Sequence, residues 1–135
     1  MSRIDSRVPA EWFERAEKDY VAARHLLGEP EVAFVIPAAM LLQQALEKYL
    51  KGFLLARGQT PSRTRDLTEL LDAIPLYEPE LAPFDPACVK ITAYYTEQRY
   101  PSLAGGRLNK EEVVEALAQA EQLIEELKRL AFRAE

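Results

Sequence analysis

Apolar residues recur every three or four positions along most of this 135-residue sequence. This spacing places them on one side of an α-helix. No segment shows the strict alternation of apolar and polar residues, bounded by tight turns, that is typical of a half-exposed β-strand. The pattern therefore predicts an all-α protein. In the first segment, from Pro9 to Leu27, the apolar stripe consists of Trp12, Ala16, Tyr20, Ala23 and Leu27.

Residues that favour helix ends divide the chain into five predicted helices, of which Pro9 to Leu27 is the first. The second helix runs from about Pro37 to Arg57 and ends at Gly58, because proline fits a first turn and glycine fits a C-terminal end. In this helix the core face comprises Leu42, Leu46, Tyr49, Leu50 and Phe53. The other helices are predicted over Leu67 to Ile74 after an Asp66 cap, over Asp85 (as cap) to about Thr96, and after an Asn109 cap.

The last predicted helix has two apolar stripes. Its second stripe, Leu123 and Leu130, lies beside a longer one that consists of Val113, Leu117, Ala120, Ile124, Leu127 and Ala131. Two stripes are typical of a helix that packs on its own core and can also pack against another chain. We therefore expect a symmetric homodimer. Within each chain we expect a helical bundle in which the second and last helices pack close to antiparallel.

The bulk properties indicate one domain over residues 1–135. The first residues, Met1 to Arg7, lack the apolar segment of a signal peptide, and the longest apolar run, around Ala33 to Leu42, is interrupted by Pro37 and too short to span a membrane. One cysteine, Cys88, excludes an internal disulfide framework and suits a reducing compartment. We expect a soluble cytoplasmic protein with no membrane segment.

Motifs for binding a metal or a cofactor are missing from this sequence. His25 is the single histidine and Cys88 the single cysteine, and they fall in different predicted helices, so they do not form a zinc-type ligand set on their own. No glycine-rich phosphate loop follows a strand. We therefore expect no metal site and no cofactor.

Positive charge is concentrated between Lys48 and Arg65, a stretch with no acidic residue in a chain of net charge −5. Lys48 and Lys51 are three positions apart on a helix, so both ammonium groups can reach one anion. The predicted anion-binding residues are Gln44, Lys48, Lys51, Arg65 and Arg99, the last two from loops. One alternative is that the basic stripe is only a solvated helix face with a Glu–Lys pair. Another is that the cations near the helix end complement its dipole.

Four segments resemble the HEPN domain family. The clearest reads QQALEKYLK over residues 43–51 and is similar to the family's second-helix run. Residues 61–67 are similar to its loop, which usually ends in His-Asp-Leu, and residues 94–101 are similar to its YxxxRYP stretch. The opening helix, residues 12–19, also matches. The order and spacing of the four segments are more specific than any one of them.

The resemblance implies an up-and-down bundle of four to five helices that is usually dimeric. Family members are proposed to bind nucleotides, frequently partner a minimal nucleotidyltransferase, and in many cases cleave RNA as toxins. The resemblance therefore favours a module that binds a nucleotide or phosphate, or a nucleotidyltransferase partner. The alternatives are the RNA-cleaving toxin of a toxin–antitoxin pair and a purely structural dimer without a ligand.

The motif shared by the family's nucleases is missing from this sequence. It consists of an arginine followed, after four to six residues, by a histidine. Counted from Arg99, those positions hold Ala104, Gly105 and Gly106, and Arg65 stands where many relatives have histidine. This departure weighs against ribonuclease activity and leaves the implied fold unchanged.

Overall fold

The computed structural model describes residues 6–74, 78–99 and 108–132, with side chains for all of these except 95–99. Two short 3₁₀ helices, Val32–Phe34 and Pro79–Phe84, precede the second and fourth α-helices. Within the described ranges there is no β-strand, and no helix is long and apolar enough to cross a bilayer. The all-α prediction is confirmed. The α-helices are α1 (Pro9–Leu27), α2 (Val35–Ala56), α3 (Leu67–Asp72), α4 (Asp85–Arg99) and α5 (Lys110–Ala131).

Helix α2 is the centre of the bundle and packs against all four other α-helices. The apolar face predicted from the sequence is fully buried, and Tyr49 and Phe53 are among the largest side chains with no exposed surface. The predicted stripe of α1, from Trp12 to Leu27, is also buried. The helical period of the sequence therefore identified both faces of the main packing interface.

The long helices alternate in direction. Near the start of α1, Phe13 lies against Gly52 in the last third of α2, so these helices are antiparallel. The start of α5 lies beside the end of α1, where the Lys110 ammonium donates to the Glu29 carbonyl over 3.0 Å. Glu78, shortly before α4, pairs with Arg57 at the end of α2, so α4 starts at that end of the bundle. This order is an up-and-down topology, as expected.

The predicted antiparallel packing of the second and last helices is wrong. The guanidinium of Arg57, directly after α2, donates to the carbonyl of Leu130, near the end of α5, over 2.9 Å. Both helices therefore end at the same end of the bundle and run parallel. The reason is topological: in an up-and-down bundle every second long helix runs in the same direction.

Several helix boundaries differ from the prediction, among them the end of α3, which is Asp72 and not Ile74. Helix α2 begins at Val35, two residues before Pro37, without losing a hydrogen bond, because first-turn amides have no intrahelical partner. Asp85 has helical backbone angles (φ −55°, ψ −46°) after a 3₁₀ helix and is not an N-cap. Helix α4 includes Arg99, the last residue described before the gap, so Arg99 is a helical residue and not a loop residue.

The two predicted caps that depend on local geometry alone are present. The Asp66 carboxylate accepts a hydrogen bond from the Thr68 amide over 3.0 Å at the start of α3. The Asn109 side chain accepts one from the Glu111 amide over 2.7 Å at the start of α5. Each cap satisfies a backbone donor that the helix itself leaves unpaired.

Both apolar stripes of α5 face the same core. Leu123 and Leu130, which form the second stripe, are 1% and 0% exposed within this single chain. The second stripe is therefore used inside the protomer and does not supply an outer surface for a second chain. The homodimer stays a prediction.

A buried ion pair at the end of α2 connects this end to the segment before α4 and to the end of α5. The Glu78 side chain is completely buried and contacts the Arg57 guanidinium, which is 10% exposed. Arg57 also donates to the Leu130 carbonyl and lies over the Phe53 ring at 4.9 Å. Arg57 therefore has a structural role, because removing one partner of such a pair leaves a buried charge uncompensated.

Helix α1 packs closely against α2 at Gly52. A Cβ atom placed there would lie 2.7 Å from the Phe13 ring and 2.9 Å from Cβ of Trp12. The Phe13 ring cannot move cheaply, because it packs edge-on against Tyr49 and Phe132 at centroid distances of 5.2 and 5.5 Å. Glycine is therefore required by the space between the helices.

We predict that Gly52→Ala lowers the free energy of unfolding by about 1–3 kcal/mol through overpacking. Alanine is otherwise favoured in a helix by about 1 kcal/mol over glycine, so a loss of stability isolates the steric effect. Urea denaturation measures it. In a Phe13→Leu background the ring contact is removed and the cost of Gly52→Ala should be smaller. An equal cost in both backgrounds would contradict this explanation.

Candidate anion-binding groove

A groove of about 740 Å³ lies between the first half of α1, the second half of α2 and the loop of residues 57–66, which we call the α2–α3 loop. Seven cationic side chains line it, against two carboxylates, those of Asp19 and Glu47. Positive charge therefore predominates locally in a chain whose net charge is −5. The cations are Arg7, Arg15 and Lys18 from the first part of the chain, Lys48 and Lys51 from α2, and Arg63 and Arg65 from the loop.

The polar stripe of α2 forms the floor of this groove. Lys48 and Lys51 retain only 15% and 10% of their side-chain exposure, because α1 and the α2–α3 loop lie beside them. Gln44, one turn earlier, is half-buried and lines the same groove. The stripe is therefore largely covered and not a fully solvated helix face, and its binding of an anion stays a prediction.

The two lysines of α2 are already paired with carboxylates. Lys48 forms an ion pair with Asp19 of α1, and Lys51 pairs with Glu47 over 3.0 Å. Glu47 also lies 3.7 Å from the Arg65 guanidinium. Asp19 and Glu47 therefore hold the cations of α2 and the loop in position, and both carboxylates were missed in the sequence-based prediction of the site.

Four further cations of the groove are exposed and form no ion pair within the described part of the chain. Three of them lie outside the basic segment from Lys48 to Arg65 that the sequence analysis identified. Arg15 and Lys18 are three residues apart on α1, which is the spacing of side chains on the same helix face. This spacing is the sequence signal from which Arg15 and Lys18 could have been identified as a pair of neighbouring cations. The four are Arg7, Arg15, Lys18 and Arg63.

A buried glutamine fixes the α2–α3 loop at the groove. The Gln43 side chain is 0% exposed, and its amide nitrogen donates to the Arg65 carbonyl over 2.9 Å and lies 3.5 Å from a Glu47 oxygen. At the other end of the loop, Gly58 adopts φ +78°, and the next amide, that of Gln59, bonds back to α2. The loop therefore has an anchor at each end, and its cations are held beside α2.

Four of the five predicted anion-binding residues line the groove, namely Gln44, Lys48, Lys51 and Arg65. Arg99 is the last residue of α4, and its side chain lies outside the described residues. Whether Arg99 contributes to the same site stays a prediction.

The single histidine and cysteine lie away from the groove. His25 is exposed near the end of α1, and Cys88 is buried in the core. Burial raises the pKa of the Cys88 thiol to about 12, so the thiol is protonated near neutral pH and is a poor nucleophile. Among the described residues no three side chains of His, Cys, Asp or Glu are placed to hold a metal ion.

We predict that Gln43→Leu frees the α2–α3 loop, because it removes the hydrogen bond to the Arg65 carbonyl. Amide hydrogen exchange in residues 60–66 should become faster, and stability should fall by about 1–3 kcal/mol for the unpaired carbonyl. Gln44→Leu is the matched control, since this neighbouring glutamine is half-buried and anchors no described loop residue. Equal exchange in the two variants would show that Gln43 does not anchor the loop.

Comparison with known proteins places the chain at the level of family and fold. It superposes on the crystal structure of an archaeal HEPN homologue with a TM-score of 0.70, at 22% identity over 92% of this chain and 98% of that one. For a protein from Thermus thermophilus the TM-score is 0.71, at 26% identity over 90% and 96% of the two chains. A search of curated proteins found no match. The family model of the HEPN domain matches residues 9–130, from the start of α1 almost to the end of α5, so the chain belongs to the HEPN domain family.

Proposed function

We propose that this protein binds a phosphate-bearing ligand, such as a nucleotide, in the groove between α1, α2 and the α2–α3 loop. The observation that supports this is the set of four exposed cations that line one groove without a carboxylate partner among the described residues. Two of them, Arg15 and Lys18, lie three residues apart on one helix face, where like charges repel each other. A bound anion relieves that repulsion.

The chemistry of the lining suits phosphate. Guanidinium groups such as those of Arg15 and Arg63 can donate two parallel hydrogen bonds to phosphate oxygens. These two arginines come from different walls of the groove, so they can approach an anion from different sides. Gln44 adds a neutral donor from the floor. Lys48 and Lys51 contribute charge nearby while staying paired with their carboxylates.

Membership of the HEPN family agrees with this proposal, since the resemblance implies nucleotide binding. The resemblance also implies a homodimer and a minimal nucleotidyltransferase as partner. Both stay predictions, and both are compatible with a ligand in the groove.

The residues that line the groove favour a binding function over RNA cleavage. Proton-transfer catalysis needs a group free to accept or release a proton. The groove's two carboxylates are engaged in ion pairs, and its described lining contains no histidine. The RNA-cleaving toxin is therefore the less favoured alternative.

We expect ATP to bind the wild-type protein saturably at low salt, with a change in the fluorescence of Trp12. Trp12 is the single tryptophan of the chain and lines the groove, so its emission reports on occupancy. The double substitution Arg15→Ala with Lys18→Ala should weaken binding at least tenfold, an effect of about one charge-assisted hydrogen bond. Neither side chain forms an ion pair with a described residue, so the fold should be unaffected.

Arg24→Ala is the control, because Arg24 is an exposed arginine of the same helix that does not line the groove. It should leave ATP affinity unchanged. Circular dichroism checks that each variant retains its helix content. Absence of ATP binding at low salt, where electrostatic contacts are strongest, would contradict the proposal. So would an equal loss of affinity in the Arg24 variant.

A further inference from the structure

We infer that the groove selects its ligand by the number of consecutive phosphates and not by the base, so that its ligand class is a polyphosphate chain, either inorganic or the end of a nucleoside triphosphate. This inference rests on the proposed function. It follows from how the unpaired cations are distributed and from the absence of an open aromatic face in the described lining.

The unpaired cations are spread along the groove. On the α1 side they extend from Arg7, just before the helix, to Lys18. Because a helix rises about 1.5 Å per residue, the helical part of this stretch alone, from Pro9 to Lys18, spans roughly 14 Å. One phosphate group is much smaller than this span. Several linked phosphates can contact successive cations.

The α2–α3 loop supplies the facing cation. Arg63 is exposed at the groove, and the loop that bears it is anchored to α2 at both ends. A chain of phosphates lying along α1 is therefore contacted from the opposite wall as well. Cations on two walls favour a long anion, because successive phosphates can contact both walls at once.

The described lining offers no open aromatic ring on which a base can stack. Its one aromatic residue, Trp12, is 9% exposed, and its indole nitrogen donates to the Ser6 carbonyl over 2.7 Å. Base stacking on an open aromatic ring contributes about 1–3 kcal/mol per base in proteins that bind single strands. That contribution is lost where the ring is covered. We therefore expect the phosphates to supply most of the ligand's free energy of binding.

The neutral polar groups of the lining also suit phosphate. Gln44, Thr60 and Ser62 present amide and hydroxyl groups that can donate to a phosphate oxygen or bond a sugar hydroxyl. A volume of about 740 Å³ accommodates several phosphates with or without an attached nucleoside. The groove is therefore suited to a ligand whose negative charges are arranged in a line.

The test is a series of titrations of the full chain at one fixed, low ionic strength. Phosphate, pyrophosphate and tripolyphosphate form one series, and AMP, ADP and ATP form the second. In each series the affinity should rise roughly tenfold for each added phosphate. ATP, GTP, CTP and tripolyphosphate should agree within about threefold, which is less than the effect of one stacked base.

The double variant Arg15→Ala with Lys18→Ala should reduce the gain per added phosphate, whereas Arg24→Ala should preserve it. If AMP binds as tightly as ATP, or if one base is preferred by more than about tenfold, the inference is overturned while the proposed phosphate site stands. If a short single-stranded RNA binds more tightly than tripolyphosphate, the ligand is RNA and the inference is equally overturned. If none of these anions binds, the proposed function itself fails.

Discussion

The contact of α1 with α2 at Gly52 determines the rest of the architecture. Because this residue has no side chain, Trp12 and Phe13 pack directly against the helix backbone. One turn or so further along the same interface, Asp19 reaches Lys48, and Glu17 accepts a hydrogen bond from Tyr49. The close approach therefore brings polar residues of the two helices together and makes one wall and the floor of the groove.

The central position of α2 explains why its polar residues form a site. Its other faces are covered by α3, α4 and α5, so the stripe that includes Gln44, Lys48 and Lys51 is left between α1 and the α2–α3 loop. Burial of lysine is tolerated only with a partner. Asp19 and Glu47 supply the partners, and the exposed cations around them remain open to a ligand. The local lining matters more to such a ligand than the net charge of −5, because charges beyond about 8 Å are largely screened at physiological ionic strength.

Features that depend on neighbouring residues could be predicted from the sequence, and features that depend on the path of the chain could not. The buried stripe of α1, the core face of α2 and the caps Asp66 and Asn109 all follow from spacing within one helix. The direction of α5 and the pairing of Asp19 with Lys48 depend on which helices become neighbours in space. The contribution of Arg15 and Lys18 to the groove depends on the same long-range packing.

Gln43 is an intermediate case: it stands on the apolar face of α2, where a polar residue signals a specific hydrogen bond. The sequence could not identify the partner, the Arg65 carbonyl, which is 22 residues away along the chain.

The central claim is that a phosphate-bearing ligand occupies the groove between α1, α2 and the α2–α3 loop. Nuclear magnetic resonance of the isotope-labelled full chain, titrated with ATP, tests it most directly, because each backbone amide reports on its own surroundings. The account predicts that the largest shifts fall in residues 6–19, 44–55 and 60–65, the three segments that line the groove. Shifts concentrated around Arg24 to Glu29, or spread evenly over the exposed basic residues, would contradict it.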